Sequence, residues 1–173
     1  AYIEFCDADS ATDLMAQYAN LVVLRTLSKA WAAAGVRCGT VIAHPDVIGL
    51  LKRVIAPYPL AATAIDAALQ AISGGAVSRQ RQFLEEVRQG KKDFRAFLLS
   101  CDWISEVMQS EANFILLRVA DADALVAWCA GRGIRIRNFT SQAQLKGCVR
   151  LTIGSAKEMA ELKLALQAYG EQA

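Results

Sequence analysis

The chain has 173 residues, 54% of them apolar, enough to bury the core of one ordinary domain or two small ones. Its 19 Lys and Arg against 17 Asp and Glu leave a net charge of +2, too even for a dedicated nucleic-acid binder, whose basic face would dominate the count. The same apolar, nearly neutral composition, with 31 alanines, excludes a disordered chain. Ala1 to Phe5 reads as the end of a strand with no cap and no initiator methionine before it, so the chain is expected to be a fragment of something longer. The opening carries Glu4, Asp7 and Asp9 where a secretory signal would be basic and then apolar, which makes the cytoplasm the expected compartment.

Leu21 to Leu27 (LVVLRTL) is a β-rich run expected to be a largely buried strand. Ser28 to Gly35 follows as a helix-prone turn closed by glycine, and Val36 to Ala43 reads as a second strand. Pro45-Asp46 opens a helix to about Ile55, which Pro57-Tyr58-Pro59 breaks, and Ala61 to Ile72 is helical up to Ser73-Gly74-Gly75. From Ala76 to about Ser100, Val77, Leu84, Val87, Phe94, Phe97 and Leu98 recur at helical spacing among charges, with Gly90 as the weak point. The segment Asn113 to Val119 is a strand, Asp121 to Ala130 a helix with an acidic cap, and Ile134 to Phe139 a strand. Gly147 to Ile153 is the last strand, and Ser155 caps a helix through Tyr169. Strand and helix alternate in residues 1–75 as in a parallel α/β sheet, residues 76–173 look like a smaller α+β unit, and Gly74-Gly75 is the boundary.

The longest uncharged runs, such as Val54 to Ile65 and Ala67 to Val77, contain prolines or glycines and fall short of the ~20 residues a membrane span needs. Five cysteines (Cys6, Cys38, Cys101, Cys129, Cys148) are scattered without CxxC spacing, which argues against a disulfide framework and against a zinc site. With His44 the single histidine, no metal is expected, and that residue is assigned to capping or the surface. Trp31, Trp103 and Trp128 are expected to be packing residues.

A lysine at the end of a buried strand, short of water, can attack a carbonyl. Lys29 is placed that way, with the Ser28 hydroxyl before it and the Arg37 guanidinium eight residues on; together they could hold an aldehyde and a phosphate. Most lysines after strands are solvated loop residues, and on these residues alone that reading stands beside the functional one. Arg150 lies in an otherwise apolar strand (CVRLTI), where alternation sets it opposite Val149 and Leu151 and where an inward charge is costly unless it meets an anion. Arg132, Arg135 and Arg137 form a basic cluster, for which a solvated face or an ion-pair network is the ordinary explanation.

The longer strings are more specific. LRTLSKAWAAAGVRCG (Leu24–Gly39) with APYPL (Ala56–Leu60) resembles the Schiff-base lysine segment of the fold-type I pyridoxal-phosphate aminotransferases. Ala1-Tyr2-Ile3-Glu4-Phe5 looks like the strand end that in these enzymes follows an Asp-Glu pair. With SEANFILLRV (Ser110–Val119), GIRIRN (Gly133–Asn138) and GCVRLTIGS (Gly147–Ser155), the resemblance is closest to the histidinol-phosphate aminotransferases, over nearly all of this chain but only about the C-terminal half of such an enzyme.

That resemblance implies an α/β fold: part of the large-domain parallel sheet, followed by a small α+β C-terminal domain. It implies pyridoxal 5'-phosphate as cofactor, Lys29 as the catalytic residue that binds it covalently and then shuttles a proton, Ser28 and Arg37 on its phosphate, and Tyr2 on its ring oxygen. Arg137 and Arg150 would bind the substrate anion, the phosphate of histidinol phosphate or a carboxylate of glutamate and 2-oxoglutarate in turn. The family's nitrogen-pairing aspartate, phosphate loop and stacking aromatic belong to a part this chain does not contain, so the 173 residues alone are expected to lack transaminase activity. Members are homodimers, so a partner chain is expected, with no nucleic acid and no membrane. The alternatives are an aromatic aminotransferase or amino-acid-phosphate decarboxylase of the same fold, an aminotransferase-like regulatory domain without turnover, or a structural unit with no cofactor.

Overall fold

A computed structural model describes residues 1–172. The chain forms two compact units, Ala1–Leu84 and Glu85 onward. That division falls within a long helix, whereas the Gly74-Gly75 boundary read from the sequence lies just before it.

In the first unit, β1 (Val22–Thr26) and β2 (Gly39–Ala43) form a two-stranded antiparallel sheet, with Val22 opposite Ala43 and Thr26 opposite Gly39. The expected parallel arrangement of these strands is therefore corrected. A parallel return needs a long crossover, usually a helix. Ser28 to Gly35 forms turns and only a short 3-10 segment at Ala34–Val36, so the chain doubles back. The expected burial of β1 is corrected too: Leu24 is 67% exposed, and Val22 and Val41 are exposed beside it. Among the described residues the sheet has only these two strands, so neither strand is central. The chain start is likewise not a strand but a 3-10 turn, Ile3–Phe5, closed by the Phe5 N–H donating to the Tyr2 carbonyl. Phe5 is buried, edge-on to Phe83, and Glu4 pairs with Arg25 of β1 at 2.8 Å.

Helix α1 (Pro45–Val54) starts with proline in its first turn, and the His44 Nδ1 accepts from the Asp46 N–H at 3.4 Å, so the lone histidine caps this helix. Helix α2 (Ala62–Ile72) ends at Ser73, before Gly74 and Gly75, both at positive φ. Helix α3 (Ala76–Leu99) begins in the first unit and ends in the second. Gly90 does not interrupt it; a Cβ there would lie 3.4 Å from Ile153 Cγ2, so glycine permits a close approach.

The second unit is an antiparallel sheet in the order β3-β4-β6-β5, comprising β3 (Ile104–Val107), β4 (Phe114–Val119), β5 (Arg137–Asn138) and β6 (Cys148–Thr152). β4 alternates as a half-buried strand should: Ile115, Leu117 and Val119 face the core. The core is completed by Leu98 of α3, Leu125 of α4 (Ala122–Ala130) and Leu166 of α5 (Ala156–Gly170). Both later helices start at the caps read from the sequence: the Asp121 carboxylate accepts from the Ala124 N–H at 2.8 Å, and Ser155 forms a capping box with Glu158. β3 has no counterpart in the sequence reading, and the expected strand Ile134 to Phe139 is ladder-paired only at Arg137 and Asn138.

The capping box gives a pH-dependent prediction. The Glu158 carboxylate accepts from the Ser155 hydroxyl and the Ser155 N–H, both at 2.7 Å, and these bonds hold its carboxyl below the usual carboxylate range. Since the folded value is the lower one, the stabilisation is present above the ordinary range and lost as pH falls through the folded value. Ser155→Ala should lower the melting temperature followed by circular dichroism at neutral pH, and its deficit against wild type should shrink on acidification. A deficit that grows with acid would contradict the assignment.

Candidate functional site

Lys29 follows β1 in the turn that leads back to β2, next to the buried Ala30. It is half-buried, at the end of a strand more exposed than expected, and its Nζ lies 5.9 Å from the centre of the Tyr2 ring. The structure thus brings together two site residues far apart in the sequence. Ser28 is fixed from behind: its N–H donates to the Thr26 Oγ1 at 3.1 Å, and the two hydroxyls are 2.8 Å apart. Thr26, which holds this candidate site residue, is a neighbour the sequence reading missed. Its signal was present, since period-two alternation sets residues 26 and 28 on one side of an extended chain.

The turn after Lys29 contains the two non-glycine residues at positive φ among the described residues, Ala32 at 51° and Arg37 at 56°. Each costs an L-residue of order 1 kcal/mol or more, and such strain concentrates where a backbone is held for a ligand. Arg37 is exposed, and its Nη1 donates to the Ala34 carbonyl at 3.0 Å. That bond is made within the turn, not to Ser28 or Lys29, and the rest of the fork stays open to an anion.

In the second unit, Arg150 of β6 stands directly opposite Arg137 of β5. The alternation in β6 holds: Val149 and Leu151 are fully buried and Arg150 is half-buried on the other face. Like charges opposed across two strands repel, and among the described residues no carboxylate pairs with either arginine. Aromatic faces surround them instead. The Arg150 Cζ is 4.9 Å from the Phe114 ring centre and 5.9 Å from that of Phe139, and the Arg137 Cζ is 5.4 Å from Phe139. The buried Arg150 Nε has no hydrogen-bond partner. Two cations thus share one face of the sheet without an acid beside them among the described residues. The sequence reading missed Phe139, although Arg135, Arg137 and Phe139 alternate onto one side of the segment.

Of the other two arginines of the basic cluster, Arg135 is exposed and Arg132 stacks on Trp128 with its Cζ 3.3 Å from the ring centre, and bonds the Trp128 carbonyl. Trp128 donates to the Ala165 carbonyl at 2.9 Å, and Trp103 packs against Tyr169, so both indoles pack between elements of this unit. Among the described residues the five cysteines are free, no three metal-ligating side chains converge, and no helix is long and apolar enough to cross a membrane.

A family model described as aminotransferase class I and II matches residues 1–168. The chain is 40% identical over 166 residues to the histidinol-phosphate aminotransferase of Yersinia pseudotuberculosis serotype O:1b (strain IP 31758), covering 96% of this chain and 44% of that protein. The chain therefore spans about half the length of the curated relatives it matches. Its fold is that of the histidinol-phosphate aminotransferase from Clostridium acetobutylicum, with a TM-score of 0.89 at 21% identity over 100% of this chain and 53% of that one. It also matches the Sinorhizobium meliloti histidinol-phosphate aminotransferase solved with pyridoxal-5'-phosphate, with a TM-score of 0.84 at 21% identity over 99% and 47%. These likenesses make the fold the mixed α/β architecture of the fold-type I pyridoxal-phosphate aminotransferases.

Proposed function

We propose a role in amino-group transfer from one premise: the chain belongs to the aminotransferase class I and II family. The specific reading is that of a histidinol-phosphate transaminase, in which this chain supplies the lysine and the anion grip for exchange of an amino group between histidinol phosphate and the glutamate/2-oxoglutarate pair in histidine biosynthesis. The names of the 40% identical relatives support that substrate. A homodimer in the cytoplasm belongs to the same reading.

The residues of the first unit fit pyridoxal 5'-phosphate. A half-buried amine beside a phenol, a hydroxyl fixed by its neighbour and a partly open guanidinium match the aldehyde, ring oxygen and phosphate of that molecule. When bound, the cofactor supplies an electron sink for charge left on the substrate carbon. Lys29 Nζ would take the proton from that carbon and deliver it to the cofactor's carbon instead, a shuttle its single long side chain can run without a second base. Tyr2 donates a hydrogen bond from its phenol, and Ser28 with Arg37 holds the phosphate. Arg137 and Arg150 orient the substrate through its anion, and because they face no carboxylate they can serve a phosphate or a carboxylate in turn.

The observation that carries this reading is the approach of the Lys29 amine to Tyr2. The test is to add pyridoxal phosphate to the chain, reduce with borohydride and map the pyridoxyl label by peptide mass spectrometry. Label concentrated on Lys29 and lost in Lys29→Ala is expected. Label spread evenly over the lysines, or undiminished in Lys29→Ala, overturns the assignment.

A further inference from the structure

We propose that Phe139, helped by Phe114, is a positioning residue: its ring holds Arg137 and Arg150 side by side in place of a carboxylate, leaving their N–H donors for an incoming anion. The inference deepens the anion-grip reading and rests on it.

Two directly opposed arginines need something to offset their repulsion. A structural pair would use an acid, which would also occupy the guanidinium donors. Here neither arginine has one among the described residues. Both guanidinium carbons instead lie within 6 Å of one ring, at 5.4 and 5.9 Å from Phe139, and Arg150 also lies 4.9 Å from Phe114. A π face attracts a cation without accepting its in-plane hydrogen bonds. It therefore stabilises the charges while leaving the fork unused, consistent with the buried Arg150 Nε having no hydrogen-bond partner. Phe139 can hold this place because it is anchored next to the strand pair: its N–H donates to the Cys148 carbonyl at 2.9 Å, and it lies two residues beyond Arg137. An acid at residue 139 would hold the arginines too, but it would compete with the ligand for the same donors.

The experiment uses the full 173-residue chain and inorganic phosphate as the probe. The first readout is the NMR chemical shift of the arginine Nε–H protons without phosphate: ring currents should displace those of Arg137 and Arg150, and Phe139→Leu should remove most of the displacement at Arg137 while leaving at Arg150 the part owed to the nearer Phe114. The second is phosphate affinity by calorimetry. Loss of two cation–π contacts should weaken it about 5- to 30-fold in Phe139→Leu, while Phe139→Tyr, which keeps the face, stays near wild type. Rescue by Tyr but not by Leu is what a purely packing role would not produce; Phe139→Met replaces the Leu variant should that one not fold. Undisplaced arginine protons in wild type, or equal phosphate affinity in Leu and wild type, overturn the clamp. Displaced protons with no phosphate binding by wild type overturn the anion grip and leave the ring–arginine geometry standing, so the two failures are distinguishable.

Discussion

Arg150→Ala should weaken phosphate binding by this chain at least about 30-fold, the loss expected when a charge-assisted, partly desolvated contact of ~2 kcal/mol or more is removed. The side chain is half-buried, so a bound anion would meet it where water screens less than at the exposed Arg137. Arg137 is exposed, and Arg137→Ala should cost less. Arg150→Lys should fall between wild type and alanine, since it keeps the charge but loses the two-pronged geometry. The same variants should separate function from stability. Without phosphate, removing one of two opposed like charges relieves repulsion while losing two ring contacts, effects of opposite sign, so Arg150→Ala should change unfolding free energy by less than ~1 kcal/mol. With phosphate, the wild type should gain melting temperature and Arg150→Ala should not. Calorimetry and thermal melts in matched buffers read both effects. Unchanged phosphate affinity in Arg150→Ala would remove the anion grip from the proposed function.

What could be read from the sequence divides by whether the decisive force is local. Asp121 and Ser155 cap their helices because the cap bond closes within three residues, and a spacing of that length is visible in a string of letters. β4 was legible because its period-two alternation is written once and answered by a complete sheet. β1 was legible as a strand but not in its exposure: LVVLRTL has the composition of a buried strand, but burial depends on what lies across the sheet, and among the described residues only β2 pairs with it. The antiparallel sense of its pairing with β2 was hidden for a related reason, since the alanine-rich segment after Lys29 has helix propensity but forms turns with two strained residues. β3 was missed because Ser105 and Glu106 break the apolar signal, and ladder bonds to β4 hold it. For the site, Lys29, Tyr2 and the two arginines followed from resemblance in short strings, whereas Thr26 and Phe139 act through neighbours and emerge only once distances exist.

The contrast between two leucines turns that point into a measurement. Leu24 and Leu117 each sit at the middle of a short apolar strand, and nothing in their flanking residues ranks one above the other. Leu117 has no exposed surface, pairs with Val149 of β6 and Val107 of β3, and is as fully buried as Ile115, Leu125, Leu151 and Leu166; Leu24 is 67% exposed. Leu117→Ala should therefore cost about 2–5 kcal/mol, transfer of the lost methyl groups plus the cavity left in a core that interlocking strands keep from collapsing. Leu24→Ala should stay within ~0.5 kcal/mol. Urea denaturation followed by circular dichroism measures both, and comparable midpoints for the two variants would contradict the burial assigned here. The consequence reaches the anion grip through the ladder: Leu117 packs beside Val149, the residue preceding Arg150, so a cavity there loosens the strand that presents the guanidinium. Phosphate should accordingly recover part of the stability lost in Leu117→Ala, because a ligand that binds only the folded unit favours it by mass action, and should recover none in the double variant with Arg150→Ala.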